Sequence, residues 1–281
     1  MNTTADKRNR SPVARVSCML DSLEIYLHRL CTRSRFFTRK NWQYCCLLSG
    51  QLSFLCAFMV LVAAGFLPPM KPTWSAERVH EHYFSHKEGV RASVPLLLLS
   101  GGFYLPFSAL LSKHLRQIPG VDPILPDLQL AAGAASIFSI MVPASFLGLI
   151  TFRDYGPELT LLISDQFWLN FFLPWPTFLI QAWTVAWAAF ADTSAKPVFS
   201  KTVGLINFVV PFFYLSLTGV HVQHEGPYAW SGALTFWVAA VAFGVQIGAD
   251  TNCLFQRIRA MPDDDCAIEE EEEEAQGIAG P

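Results

Sequence analysis

The sequence predicts an all-α integral membrane protein, a bundle of six transmembrane helices preceded by an amphipathic helix. Three observations predict it. The chain of 281 residues is 52% hydrophobic and only 15% charged, where a soluble domain carries about 25% charged residues. Apolar runs of about 18 to 25 residues recur along it, each enough to cross a ~30 Å hydrocarbon core as helix. The charge that remains is confined to the two ends and to short connections.

Taken in order, the predicted spans are 44–66, 92–112, 128–152, 165–190, 203–220 and 231–253. They divide the chain into a basic head (1–43), the bundle (44–253) and an acidic tail (254–281). No apolar run precedes residue 44, so internal spans are expected to direct insertion. An even number of spans puts both termini on one side, and basic residues say which. The head, the second and fourth connections and the tail hold fifteen Lys and Arg residues, against five in the other connections. Both termini are therefore expected in the cytoplasm. None of the seven cysteines falls in an outer connection, so no disulfide is expected on the oxidising side.

In the head, Val16, Met19, Leu20, Leu23, Leu27 and Leu30 follow the i, i+3, i+4, i+7 spacing of one helix face. With the basic cluster that ends at Lys40, this helix is expected to lie on anionic membrane lipid. The runs Asp263 to Asp265 and Glu269 to Glu274 repel themselves, so the tail is expected to stay solvated.

Polar residues inside the spans carry the chemistry on offer. The fourth span reads SDQFWLNFFLPWPTFLIQAWTVAW over residues 164–187. Ser164 and Asp165 sit where a helix would begin and are expected to cap it. On a helical wheel Asn170, Thr177, Gln181 and Thr184 share a sector of about 60°, a stripe expected to face spans three and five rather than lipid. Pro174 and Pro176 are expected to bend the helix. The fifth span repeats the pattern with Asn207, Pro211, Tyr214 and Thr218, and the sixth has Gln246 and Asp250 one turn apart near its inner end. Asn170, Gln181, Asn207 and Tyr214 are the candidate ligand-binding residues. Such a polar interior serves interhelical packing, a pocket for a lipid or small molecule, or a proton or ion path. The sequence places no charge at mid-depth, because Asp165 and Asp250 both lie near span ends.

The outer connections hold SAERVHEHYFSHKEGVR and HVQHEGPY. The first is expected to form an interfacial helix capped by Ser75. His82 and His86 share a helical face and, with His221 and His224, are weak metal-ligand candidates. There is no adjacent histidine pair, and no cofactor is expected. No Walker loop, GxSxG or CxxC occurs. Basic residues cluster only at the membrane surface, which argues against nucleic acid.

The stretches FLPPMKPTWSAERVHEHY, LPFSALLSKHLRQIPG, LQLAAGAASIFSIMVPA and PELTLLISDQFWLNFFLPWPTFLIQ, between residues 65 and 257, resemble a family of bacterial multi-spanning membrane proteins without an established activity. These proline, aromatic and small-residue landmarks imply a fold of about six helices and no reaction.

The expected role is a binding or accessory component for a lipid or an apolar small molecule. The alternative is a small membrane-embedded enzyme acting on a lipid or isoprenoid-like intermediate, with Asp165 and Glu158 as its weak catalytic candidates. A transporter is the third reading. Binding needs an apolar cavity with a few amides, whereas catalysis needs carboxylates converging on one.

Overall fold

A computed structural model of the chain describes residues 12–34 and 36–262. The acidic tail from residue 263 lies outside the described residues, as does the start of the basic head. Residues 43–261 form one unit, and the described residues up to Trp42 belong to another.

In that second unit, α1 (Pro12–Arg33) is a helix of 22 residues. Its stripe residues Met19, Leu20, Leu23, Leu27 and Leu30 are all exposed, and so is Ile25 on the opposite face. The apolar face is therefore less exclusive than its spacing implies.

The bundle is built from α2 (Arg39–Ala63), α3 (Ala76–Ser85), α4 (Lys87–Leu115), α5 (Ile124–Ser136), α6 (Phe138–Phe152), α7 (Pro157–Phe172), α8 (Trp175–Ala191), α9 (Lys201–Val209), α10 (Pro211–Tyr214) and α11 (Ala239–Arg259). A 3₁₀ segment, Leu215–His221, continues α10, and a π-helical segment, Ala233–Val238, leads into α11. No strand occurs among the described residues.

Five helical runs are long and apolar enough to cross a membrane: Arg39–Ala63, Lys87–Leu115, Ile124–Phe152, Lys201–His221 and Ala233–Arg259. This corrects the expectation of six. The predicted fourth span is broken at Leu173 and Pro174 into α7 and α8, of 16 and 17 residues. Each alone is short of a crossing. Pro174 and Pro176 supply no backbone N–H to the helix ladder, so the two segments meet at a turn.

The distribution of polarity is inverted relative to a soluble protein. Leu55, Met59, Leu98, Leu99, Trp187, Phe208, Phe212, Val241 and Val245 stand exposed on the outside, while Gln43, Ser53, Ser93, Ser100, Ser108, Gln129, Gln181, Asn207 and Asp250 are buried. A surface so apolar suits hydrocarbon rather than water. The chain has the make-up of a multi-pass membrane protein.

Small side chains set the close approaches. Ser53 of α2 and Ser100 of α4 each donate their hydroxyl to the other's backbone carbonyl, at 2.8 and 2.9 Å. Further along the same crossing, a Cβ on Gly89 would collide with the Ala63 carbonyl. Gly133 of α5 lies so close to Ser108 and Gln181 that no side chain fits there, which brings α4, α5 and α8 together as small residues do in membranes.

A second correction concerns Asp165. α7 begins at Pro157, with Gly156 as its N-cap at φ 78°. The cap-region bonds come from Asp154, whose Oδ1 accepts from Gly156 N at 2.9 Å. Asp165 thus lies about two turns inside the helix and caps nothing. Proline pre-sets the backbone for the first helical turn, and that signal places the true start at Pro157, well before the apolar run. Ser164 is buried and shares a 3.0 Å hydrogen bond with Tyr83 Oη.

Substituting Gly89 with Ala should lower thermal stability by about 1–3 kcal/mol, because a backbone carbonyl cannot step aside. Gly102 has nothing within 4 Å of an added Cβ. Gly102→Ala should be neutral or stabilising by up to about 1 kcal/mol. Parallel melting curves in one detergent check the pair.

Candidate functional site

The interior holds a polar network in two arms. In the first, Tyr104 on α4 donates to Gln181 Oε1 on α8 at 2.6 Å. Gln181 Nε2 donates to Ser108 Oγ at 3.1 Å, and Gln129 Nε2 on α5 reaches the same hydroxyl at 3.3 Å. Ser108 is therefore a node for three helices. The Gln129 carbonyl oxygen is buried and has no partner.

In the second arm, Tyr214 donates to Gln246 Oε1 at 2.9 Å. Gln246 Nε2 donates to Asn207 Oδ1 at 3.0 Å, and Asn207 Nδ2 donates to Asp250 Oδ1 at 2.6 Å. These bonds tie α9 and α10 to α11. A cavity of only about 10 Å³, lined by Tyr104, Gln181, Asn207, Gln246 and Asp250 among others, lies between the arms.

Beside the network lies a larger cavity of about 210 Å³. Its wall is aromatic and aliphatic: Phe54, Phe58 and Leu61 from α2, Phe171, Phe172, Trp175 and Phe178 from α7 and α8, and Phe236 and Phe243 from the π-helical segment and α11. Ser53, Ser100, Ser139 and Thr235 are its small polar members, and Tyr104 and Tyr214 stand where it meets the network. Ser53 and Ser100 bond each other, and Ser139 bonds the Ser136 carbonyl. Thr235 Oγ1 is buried without a partner. The lining residues Phe54, Phe58 and Ala240 are exposed on the outside of the bundle. The cavity thus reaches the apolar surface between α2 and α11.

Of the four candidate ligand-binding residues, Tyr214 lines the larger cavity, Gln181 and Asn207 line the small one, and Asn170 lines neither. Asn170 Nδ2 donates within its own helix, to Gln166 O at 2.8 Å and Gln166 Oε1 at 3.2 Å. The turn at Leu173 breaks the wheel that groups it with Gln181. Gln181 packs against Gly133 of the third span as expected, but its hydrogen-bond partners are Tyr104 and Ser108. Its side chain bonds α4 in the second span, rather than reaching the fifth. Asp250, an end residue by its place in the sequence, is only 3% exposed and terminates the second arm. The i, i+4 pairing of Gln246 with Asp250, opposite the Asn207 stripe, is the sequence signal for it.

The catalytic candidates do not converge. Glu158 is exposed in the first turn of α7, Asp165 is half-buried further along, and neither lines either cavity. The metal candidates do not assemble a ligand set either. His82 and His86 stack with ring centroids 4.5 Å apart, His221 Nδ1 lies 2.8 Å from the Thr218 carbonyl, and His224 is exposed. Among the described residues no group of three His, Cys, Asp or Glu side chains could hold an ion.

His82 belongs instead to α3, which Ser75 caps as expected. Its ring stacks on Phe66 at 6.0 Å, and its Nε2 lies 3.1 Å from the Ala64 carbonyl. Burial holds the His82 imidazole below its ordinary value, the Ala64 carbonyl pulls the other way, and His86 lowers it further.

These contacts can be checked by substitution. Gln181→Leu leaves the buried Tyr104 hydroxyl unpaired and should cost about 1–2 kcal/mol. In the Gln181→Leu background, Tyr104→Phe should cost almost nothing more. A double-mutant cycle on thermal stability should then return a coupling of about 0.6–1.7 kcal/mol, the range for membrane hydrogen bonds. For His82, the unfolded imidazole titrates near ~6.5, above the folded one. Its contribution to stability is therefore complete above that value and lost as the pH falls toward the lowered folded value. Melting temperature followed from about pH 7.5 to about pH 5 should drop in the wild type and drop less in His82→Gln.

Compared with family models, curated proteins and solved structures, the chain matches none. The family resemblance carried by its proline and aromatic landmarks is accordingly unsupported, and the functional reading rests on the geometry of the bundle alone.

Proposed function

We propose that this protein binds one hydrocarbon chain of a membrane lipid, or an apolar molecule of similar width, inside its bundle. The observation that carries the reading is the cavity of about 210 Å³, walled by aromatic rings and reaching the surface at Phe54, Phe58 and Ala240. A dry cavity of ~150 Å³ takes up benzene, so this one accommodates a chain segment and not a headgroup. The headgroup of such a ligand stays in the surrounding bilayer. Tyr104 and Tyr214, the lining residues where the cavity meets the network, then serve as the polar floor that sets how deep the chain goes.

In this reading α7 and α8 together complete a sixth crossing as a helix broken at Leu173, with both termini at the cytoplasmic face. Fifteen of the twenty basic residues then fall on the inner side, in keeping with the positive-inside rule. Binding suits the site better than catalysis, because Asp165 and Glu158 stand outside the cavity and a reaction needs a carboxylate within reach of the ligand.

The probe is a neutral long-chain alcohol bearing a diazirine near the end of its chain. Irradiated with the protein in nanodiscs, it should label peptides containing Phe54 to Leu61 and Thr235 to Phe243. Ala57→Phe fills the cavity from α2 and should cut that labelling about tenfold while the melting temperature holds, given that adding bulk to a void replaces missing contacts. Labelling spread evenly over the exposed apolar surface, unchanged in Ala57→Phe, would refute the reading.

A further inference from the structure

Asp250 is a carboxyl group at 3% exposure inside an apolar bundle, and its surroundings are neutral. Tyr104 faces it from α4, Gln181 from α8 and Asn207 from α9, and all line the small cavity it borders. Tyr214 on α10 reaches it through Gln246 and Asn207. From α2, Gln51 bonds the adjacent Thr251 at 2.6 Å. On α11, Cys253 bonds the Val198 carbonyl and Arg257 lies about two turns on. Lys201, at the start of α9, spends its ammonium on the carbonyls of Ala189, Phe190 and Asp192. No ion pair among the described residues reaches Asp250. A carboxylate buried without a counter-charge is strongly disfavoured, so this one takes up either a proton or a cation.

The geometry separates the two. A cation wants several oxygen ligands at once. Here Asn207 Oδ1 accepts from Gln246, Gln246 Oε1 from Tyr214 and Gln181 Oε1 from Tyr104. Each of these amide oxygens already accepts one hydrogen bond, and the space beside the carboxyl is about 10 Å³, about one water molecule. A proton needs none of this room.

Tyr104, Phe178, Phe243 and Ile247 line both this small cavity and the large apolar one. They form the wall between Asp250 and the ligand site. Real proteins lower the cost of a buried charge by relaxing and by letting water in. An empty large cavity gives the wall room to yield in that way, and a filled one removes it.

We propose that Asp250 is a proton-binding site of the bundle, and that filling the apolar cavity across the Tyr104–Phe178–Phe243–Ile247 wall drives proton uptake there. The coupling rests on the cavity reading above; the proton site stands on its own geometry. The sign follows directly. Filling the cavity disfavours the charged form and so favours the protonated one. By reciprocity, the chain-bearing ligand binds more tightly as the pH falls through the range in which Asp250 takes up its proton.

Infrared difference spectroscopy of the full chain in nanodiscs, titrated with acid, reads the proton directly through the carboxylic-acid carbonyl band. The wild type should show one buried band that is absent in Asp250→Asn. In Asn207→Ala the band persists, with its midpoint moved to higher pH, because Asn207 donates to the charged form. That variant carries the assignment if Asp250→Asn does not fold. Adding the long-chain alcohol should raise the wild-type midpoint by about one pH unit, a tenfold change in proton affinity. Ala57→Phe should show the raised midpoint without the probe and no response to it. A wild type that photolabels in the cavity but keeps its midpoint overturns the coupling and leaves the cavity reading intact. No photolabelling, with the Asp250 band still titrating, overturns the cavity reading and the coupling with it. A band abolished by sodium at constant pH makes the site a cation site and overturns the proposal.

Discussion

Inside hydrocarbon there is no water to satisfy a polar group, so each buried hydroxyl and amide has to find its partner within the bundle. That constraint organises this structure. Ser108 draws together α4, α5 and α8 by accepting from both Gln129 and Gln181. The chain from Tyr214 through Gln246 and Asn207 to Asp250 fixes α9, α10 and α11 in register. Where the backbone is interrupted, side chains close the gaps: Thr177 bonds the Pro174 carbonyl at 2.8 Å, and Ser139 bonds the Ser136 carbonyl at 2.7 Å. Each such bond is weak in net terms, about 0.6 kcal/mol on average in a membrane. Leaving one unmade costs several times more, so the polar groups specify the arrangement more than they stabilise it.

The apolar cavity is the counterpart of that network, in which the Gln129 carbonyl oxygen has no partner. Side chains committed to hydrogen bonds cannot turn to fill space. The aromatic rings of α7, α8 and α11 stand against α2, which approaches α4 closely through Ser53, Ser100 and Gly89. Between α2 and α11 the contacts are larger and looser; Phe54 lies against Phe243 at 6.4 Å between ring centroids and against Gly244. The π-helical segment Ala233–Val238 contributes Thr235 and Phe236 to the wall. Such segments are rare and are found frequently at functional sites.

Much of this was legible in the sequence. Run length and charge placement locate the apolar segments, because hydrocarbon thickness is a fixed ruler. The stripes through Gln181 and through Asn207 and Tyr214 are legible because a buried amide must face protein. What fails comes from a helix break, a helix start and tertiary packing. The wheel that groups Asn170 with Gln181 is reset by the turn at Leu173. Asp165 reads as a cap only when the helix is started at the apolar run and not at Gly156 and Pro157. Asp250 lies near a span end in the sequence, whereas α4, α8 and α9 all pack around it in the structure. The cavity itself has no sequence signal, since it arises from side chains on many separate elements failing to fill a common space.

The central claim is that this bundle retains one hydrocarbon chain in a cavity bounded by its polar network. Native mass spectrometry of protein released gently from its membrane tests this most directly. The account predicts a wild-type ion carrying one bound chain-bearing molecule and an Ala57→Phe ion stripped of it under the same activation energy. Identical adducts on both proteins, or none on either, would contradict it.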